Sequence, residues 1–343
     1  MQWMIKYNYS GYYTEDVVRN DWMEKLLRDN GYECELSDKP DYIFHNPYTN
    51  DDYLKCDGIR IFSTGEDIYP DFNLVDYAIG FDYISLGDRY FRHPLYLSYK
   101  SDWELAREKH KKVNRSNDHN RKFCNFIYSN SYADSRREEF FNLLSKYKKI
   151  DSGGRFLNNI GYPVEDKLEF QKNYKFSIAF ENASTPGYTT EKLTQAFAAG
   201  TVPIYWGNPV VDRDFNTKSF INCHDYASFD EVISVVKRID ADDELYYSYL
   251  QEPICTPQQF EQAVEMEEGM KEFILHIFEQ PYEKAFRRNL GCWGMLYNKR
   301  MKVQLMELDM RRMTLPNLLK VNVRFVKRRL EGFLRKCHLW RDR

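Results

Sequence analysis

No stretch of this 343-residue chain stays apolar long enough to span a bilayer. The opening MQWMIKYNYSGYYTED has no apolar core of the kind that directs secretion. The expectation is a cytoplasmic protein, or one peripheral to the inner membrane. Internal repeats and low-complexity tracts are missing too, which excludes solenoids, fibres and long disordered linkers. Cysteine is sparse: Cys34, Cys56, Cys124, Cys223, Cys255, Cys292 and Cys337 are scattered and odd in number. They fit a reducing compartment, and no His and Cys cluster has zinc spacing. A net charge of −3 and the lack of any reader motif argue against nucleic acid as a partner.

Aromatic residues are abundant, with 27 Tyr and 23 Phe, and apolar runs alternate with helical patterns in both halves. A helix is expected over 21–29, and strands over 32–36, 42–45, 59–62 and 75–79. In the second half strands are expected over 121–128, 176–180, 202–206 and 219–222. Such alternation implies an α/β protein whose lobes hold mainly parallel sheets, and the length suits two of them.

Residues 176–207, FSIAFENASTPGYTTEKLTQAFAAGTVPIYWG, hold the densest information. Phe176, Ile178, Ala179 and Phe180 suit a strand buried on both faces. Pro186 and Gly187 interrupt it, and Thr189 or Thr190 can cap the helix that begins at Glu191 and Lys192. Leu193, Ala196, Phe197 and Gly200 give that helix one buried face and a stop, and Val202 to Trp206 form the returning strand. Ligands of such sheets bind beyond the carboxyl ends of the strands, which places 181–192 at the ligand edge. Glu191 near a helix start is ordinary dipole design. Lys192 is not, because a cation in the first turn is unfavourable unless an anion binds there.

The strings FEN, GY, TEK and VPIYWGNP, in that order, resemble the donor signature of glycosyltransferase family 10, the α1,3/4-fucosyltransferases, and the bacterial branch above all. FSTGEDIYPDFNLVDYAIGFDYI at 62–84, DRYFRHPLYL at 88–97 and FCNFIYSNSYADSRREEFF at 123–141 extend the resemblance. It implies a GT-B fold, with two Rossmann-like lobes facing a cleft. The implied activity moves L-fucose from GDP-β-L-fucose, with inversion, to a hydroxyl of GlcNAc or Glc in an acceptor with Gal-GlcNAc units. The product is an α1,3 or α1,4 linkage of Lewis-type glycans. Two other readings stay open: a GT-B enzyme with another donor or linkage, and a degenerate carbohydrate-binding protein at a membrane.

Such a displacement needs a base for the acceptor proton and cations for the departing diphosphate. By resemblance Glu66, in a TGE motif after the run 59–62, is the base; without it Glu66 reads as a solvated loop acid. Arg137 is the implied phosphate clamp, chosen over Arg136 because Phe140 then falls at the family's spacing. Lys192 is the second phosphate contact and Glu191 the acid for the ribose hydroxyls, while Asn182 and Tyr188 are the remaining donor contacts. The N-x-S pattern at Asn182 is treated as chance.

Asp212 and Asp214 spell a D-x-D triplet, which some glycosyltransferases use to hold a cation. It lies away from the donor motif and reads as a pair of loop acids. No cofactor is required, and a divalent cation is at most a stimulant. Residues 107–122, polar and without periodicity, are expected as a connector. The division runs 1–115 for an acceptor-side lobe with the base, 116–285 for a GDP-fucose-binding lobe, and 286–343 for a helical basic tail. Residues 311–343 carry eleven Lys or Arg against Glu331 and Asp342. Their apolar positions recur at steps of four and three, an amphipathic basic helix for an anionic membrane surface or for a protein surface.

Overall fold

The computed structural model describes residues 4–11, 22–49, 51–115 and 120–312. The basic tail lies outside them from Met313 onward. Among the described residues no helix is long and apolar enough to cross a membrane.

Among the described residues eleven strands form two sheets, parallel throughout. The first holds β1 (Met4–Ser10), β2 (Glu33–Leu36), β3 (Tyr42–His45), β4 (Ile59–Ser63), β5 (Tyr77–Gly80) and β6 (Tyr90–Arg92), in the order β2-β1-β3-β4-β5-β6. The second holds β7 (Lys122–Phe126), β8 (Ile150–Ser152), β9 (Tyr174–Phe180), β10 (Val202–Trp206) and β11 (Ile221–Asn222), in the order β11-β10-β9-β7-β8. The order reverses between β1 and β3 in one sheet and between β7 and β9 in the other. These are the switch points where an open parallel sheet leaves a crevice at its carboxyl edge.

Buried strands explain the sheets. Phe176, Ile178, Phe180, Val202, Ile204 and Trp206 sit in one core with Val232, Val236 and Ile239 of helix Phe229–Ala241. On the opposite face Leu193, Ala196 and Phe197 of helix Glu191–Ala198 meet Trp103 and Ala106 of helix Lys100–Arg107. Each large apolar side chain buried this way stabilises the fold by about 1.5–3 kcal/mol relative to exposure.

The lobes do not divide at 115 and 285 as expected. Helix Lys100–Arg107 already packs on the second lobe, so the chain crosses soon after β6. It returns through helix Pro257–Glu279, which opens with a capping box between Thr256 and Gln259. Ala263 in its first half joins the second lobe's core, whereas Phe273, Ile274, Ile277 and Phe278 pack against Ile5, Tyr42 and Ile61 of the first. Helix Cys292–Arg312 also belongs to the first lobe, where Leu305 meets Leu54 and Phe62.

Local expectations change as well, and the strand expected over 219–222 is confined to Ile221–Asn222 after a 3-10 turn at Thr217–Ser219. β5 starts at Tyr77 rather than 75, because Asp71 to Val75 forms a turn closed by Val75 N donating to Asp71 O at 3.0 Å. The 107–122 connector is anchored where it is described. Lys109 is buried, donating from Nζ to the carbonyls of Tyr249 at 2.9 Å and Leu250 at 3.4 Å. Arg115 pairs with Glu244.

Candidate active site

Arg137 lies in the first turn of helix Arg136–Leu144, next to the second lobe's switch point. Its guanidinium stacks 4.1 Å over the ring of Tyr128, and Nη2 donates to Phe180 O at 3.1 Å and Asn182 Oδ1 at 2.8 Å. The side chain is almost wholly buried and its Nε has no partner. Arg136 turns outward and pairs with Asp134 at 3.0 Å. Arg137 is therefore a packed cation, facing the donor loop through Asn182.

Across the switch point, β9 is followed directly by Glu181, which the sequence reading passed over. Fully buried, it accepts from Thr190 N at 2.8 Å, Thr190 Oγ1 at 2.7 Å and Lys192 Nζ at 3.1 Å. Thr190 holds the cap position of helix Glu191–Ala198, yet its hydroxyl makes no cap bond. It is drawn instead to Glu181 and Lys192, which corrects the expected threonine cap. An acid directly after a buried strand at the carboxyl edge was the available signal for Glu181.

Lys192 also donates to Thr190 Oγ1 at 2.9 Å and lies 3.6 Å from Glu191. Burial works against its charge, but Glu181 and Glu191 outweigh burial and hold the ammonium above the ordinary lysine value. Burial likewise opposes the Glu191 charge, and Lys192 and Lys167 overcome it, keeping the carboxyl below its usual range. Both groups are thus ionised at neutral pH.

Gly187 and Tyr188 join this loop to the first lobe. Gly187 adopts φ +87°, and a Cβ there would stand 2.4 Å from Phe81 O. Only glycine suits that backbone and that approach. Its N–H donates to Asn208 Oδ1 at 2.8 Å. Tyr188 is buried with its ring 5.1 Å from that of Phe81, and burial first, then Glu181 and Glu66, push its hydroxyl pKa well up.

Glu66 stands on the loop after β4, half-buried, its N–H donating to Thr64 Oγ1 at 2.9 Å and its carboxylate accepting from Tyr48 Oη. The adjoining Asp67 accepts from Thr185 Oγ1 of the donor loop at 2.8 Å. Tyr99 feels Glu191, Lys192 and Glu66 together. All six residues named from sequence therefore gather where the two carboxyl edges meet. Of the D-x-D acids, Asp214 is buried and already committed, taking a bidentate pair from Arg92 at 2.6 and 3.0 Å, plus Tyr83 Oη at 2.9 Å.

Residues 117–267 match the model of the glycosyltransferase family 10 (fucosyltransferase) C-terminal region, and residues 8–99 that of the alpha-(1,3)-fucosyltransferase FucT N-terminal domain. The chain is 38% identical over 223 residues to alpha-(1,3)-fucosyltransferase FucT of Helicobacter pylori, covering 56% of this chain and 46% of that protein. It is 29% identical over 186 residues to the GDP-fucose protein O-fucosyltransferase 3 of Homo sapiens, covering 50% of this chain and 39% of that one. The chain thus spans less than half the length of these curated relatives. A crystal structure of an alpha1,3-fucosyltransferase with GDP-fucose superposes with a TM-score of 0.62 at 30% identity, over 81% of this chain and 92% of that one.

Proposed function

Because the chain belongs to glycosyltransferase family 10, the fucosyltransferases, with the GT-B arrangement of two parallel-sheet lobes, we propose that it transfers L-fucose from GDP-β-L-fucose to a hydroxyl of GlcNAc or Glc. The linkage is α1,3, and the anomeric centre inverts. One observation carries the reading: the Lys192 and Arg137 cations flank the donor loop at one lobe's switch point, and Thr185 ties that loop to the residue beside Glu66.

In this mechanism the acceptor hydroxyl gives its proton to Glu66 as its oxygen bonds to fucose C1. The C1–O bond to the β-phosphate breaks, and its electron pair leaves on GDP. Tyr48 and Thr64 aim Glu66. Lys192, with Arg137 behind Asn182, neutralises the charge growing on the diphosphate, in surroundings too dry for water to do so. With Lys192 toward the leaving group and Arg137 behind it, no metal is required, and a chelator should leave the rate unchanged.

The test is incubation with GDP-fucose and both Gal-GlcNAc isomers, with the linkage read by NMR. A peptide arm is added because one relative is a protein O-fucosyltransferase. An α1,3 product on the sugar is expected; transfer from a different nucleotide sugar alone would replace the donor. Glu66→Gln should lower kcat by about a hundredfold or more at unchanged donor affinity. Lys192→Ala should raise the donor KM about tenfold and slow turnover.

A further inference from the structure

Helix Lys167–Gln171 sets its first residue against helix Glu191–Ala198, and the chemistry above makes no use of it. Lys167 Nζ donates to Gln195 Oε1 at 2.6 Å, and Gln195 Nε2 donates to Asp102 Oδ2 at 2.9 Å. Glu191 and Gln195 are four residues apart and share a helix face. The tether to Gln195 therefore holds the Lys167 ammonium one helical turn from Glu191. The two act on each other accordingly: Glu191 is the strongest charge favouring ionised Lys167, and Lys167 ranks behind only Lys192 in favouring ionised Glu191.

Lys192 cannot serve Glu191 once a donor arrives. An ammonium has three N–H donors. Two point at Glu181 (3.1 Å) and Thr190 Oγ1 (2.9 Å), both buried, while Glu191 stands off at 3.6 Å. A diphosphate oxygen takes the loosest of these places. Glu191 then loses its nearest counter-charge at the moment it must accept hydroxyl hydrogens from the nucleotide's ribose.

Resting on the donor-site reading above, we propose that Lys167 is the positioning residue of Glu191. It is the cation that stays when the diphosphate claims Lys192, and it keeps Glu191 charged for the ribose hydroxyls. Lys167 is faced by Glu191 and Lys192 of its neighbouring helix, Glu181 at the end of β9, and Asp102 of helix Lys100–Arg107. Burial, reinforced by Lys192 and opposed by the three carboxylates, brings its pKa down to about 8. Lys192 is held above the ordinary lysine value, and an arginine keeps its charge throughout. Lys167 is thus the cation of the site that discharges just above neutrality.

The experiment measures the GDP-fucose KM and kcat of the full chain from about pH 6.5 to about pH 9.5, for wild type, Lys167→Met and Lys167→Arg. For wild type, KM should rise about fivefold to tenfold across pH 8, while kcat at saturating donor holds steady. Lys167→Met should show the raised KM already at neutral pH and no further rise across pH 8. Lys167→Arg should restore the neutral-pH KM and keep it low into alkali. A wild-type KM flat across pH 8 overturns the proposal even if the methionine variant does not fold. So does a methionine variant with the wild-type profile, or one that loses kcat and melting temperature at unchanged KM. If Lys192→Ala also leaves donor KM unchanged, the donor site itself is misassigned; if it raises KM while Lys167→Met does not, only the role of Lys167 falls.

Discussion

Glu181 opens the donor loop with no exposed surface, and it satisfies a backbone amide, a hydroxyl and an ammonium together. Removing one member of a buried ion pair leaves the other charge stranded, at a cost of about 3–5 kcal/mol. Glu181→Leu should therefore lose that much stability in chemical denaturation. Glu181→Gln, which retains an acceptor for Thr190 N, should fold and show a raised donor KM. Equal stability of the leucine variant would contradict the pairing. The sequence argument took Lys192 at a helix start as a mark of a bound anion, and the resident anion turns out to be Glu181. Side-chain identity announced the cation, but which carboxylate held it depended on the β9 terminus meeting the helix start, a tertiary fact. Lys167 gave no signal at all, because its partner Gln195, and Asp102 which Gln195 holds in turn, are remote in sequence.

The loop 181–190 works as an element because Gly187 allows it to pass against Phe81. Gly187→Ala places a methyl 2.4 Å from a carbonyl oxygen on a left-handed backbone. Forcing a residue there costs about 1–3 kcal/mol or shifts the loop. The variant should melt lower and bind GDP-fucose more weakly, by thermal denaturation and donor titration; wild-type values in both would show that the loop is not under this constraint. Unbroken buried runs were the legible elements, whereas the central strand β1, only partly buried along its length, was missed. β3 and β10 fall on the expected residues, since each is an unbroken buried run. β6 and β8 have only three residues each and leave too short a pattern to read. Helix Pro257–Glu279 hid its role for another reason: its apolar faces serve different lobes at its two ends, and periodicity does not say which core a face meets.

At the scale of the molecule, Arg92 and Asp214 bind the lobes beside Tyr83, whose ring carries Arg92 at 4.1 Å and Arg213 at 4.8 Å. With both partners largely withdrawn from water, Asp214→Ala should destabilise by about 3–5 kcal/mol. Its residual activity should be unaffected by added Mg²⁺ or Mn²⁺. Rescue by metal would return the D-x-D triplet to the catalytic site. Sequence distinguished two α/β lobes but not their seams, because composition does not change where the chain crosses.

The chain crosses twice, after β6 and again within helix Pro257–Glu279. Two bodies joined at one point can turn about three axes; joined at two, they turn only about the line through both. Any motion between the lobes is thereby confined to a swing about that line, and the hydrogen bond from Thr185 to Asp67 lies across it.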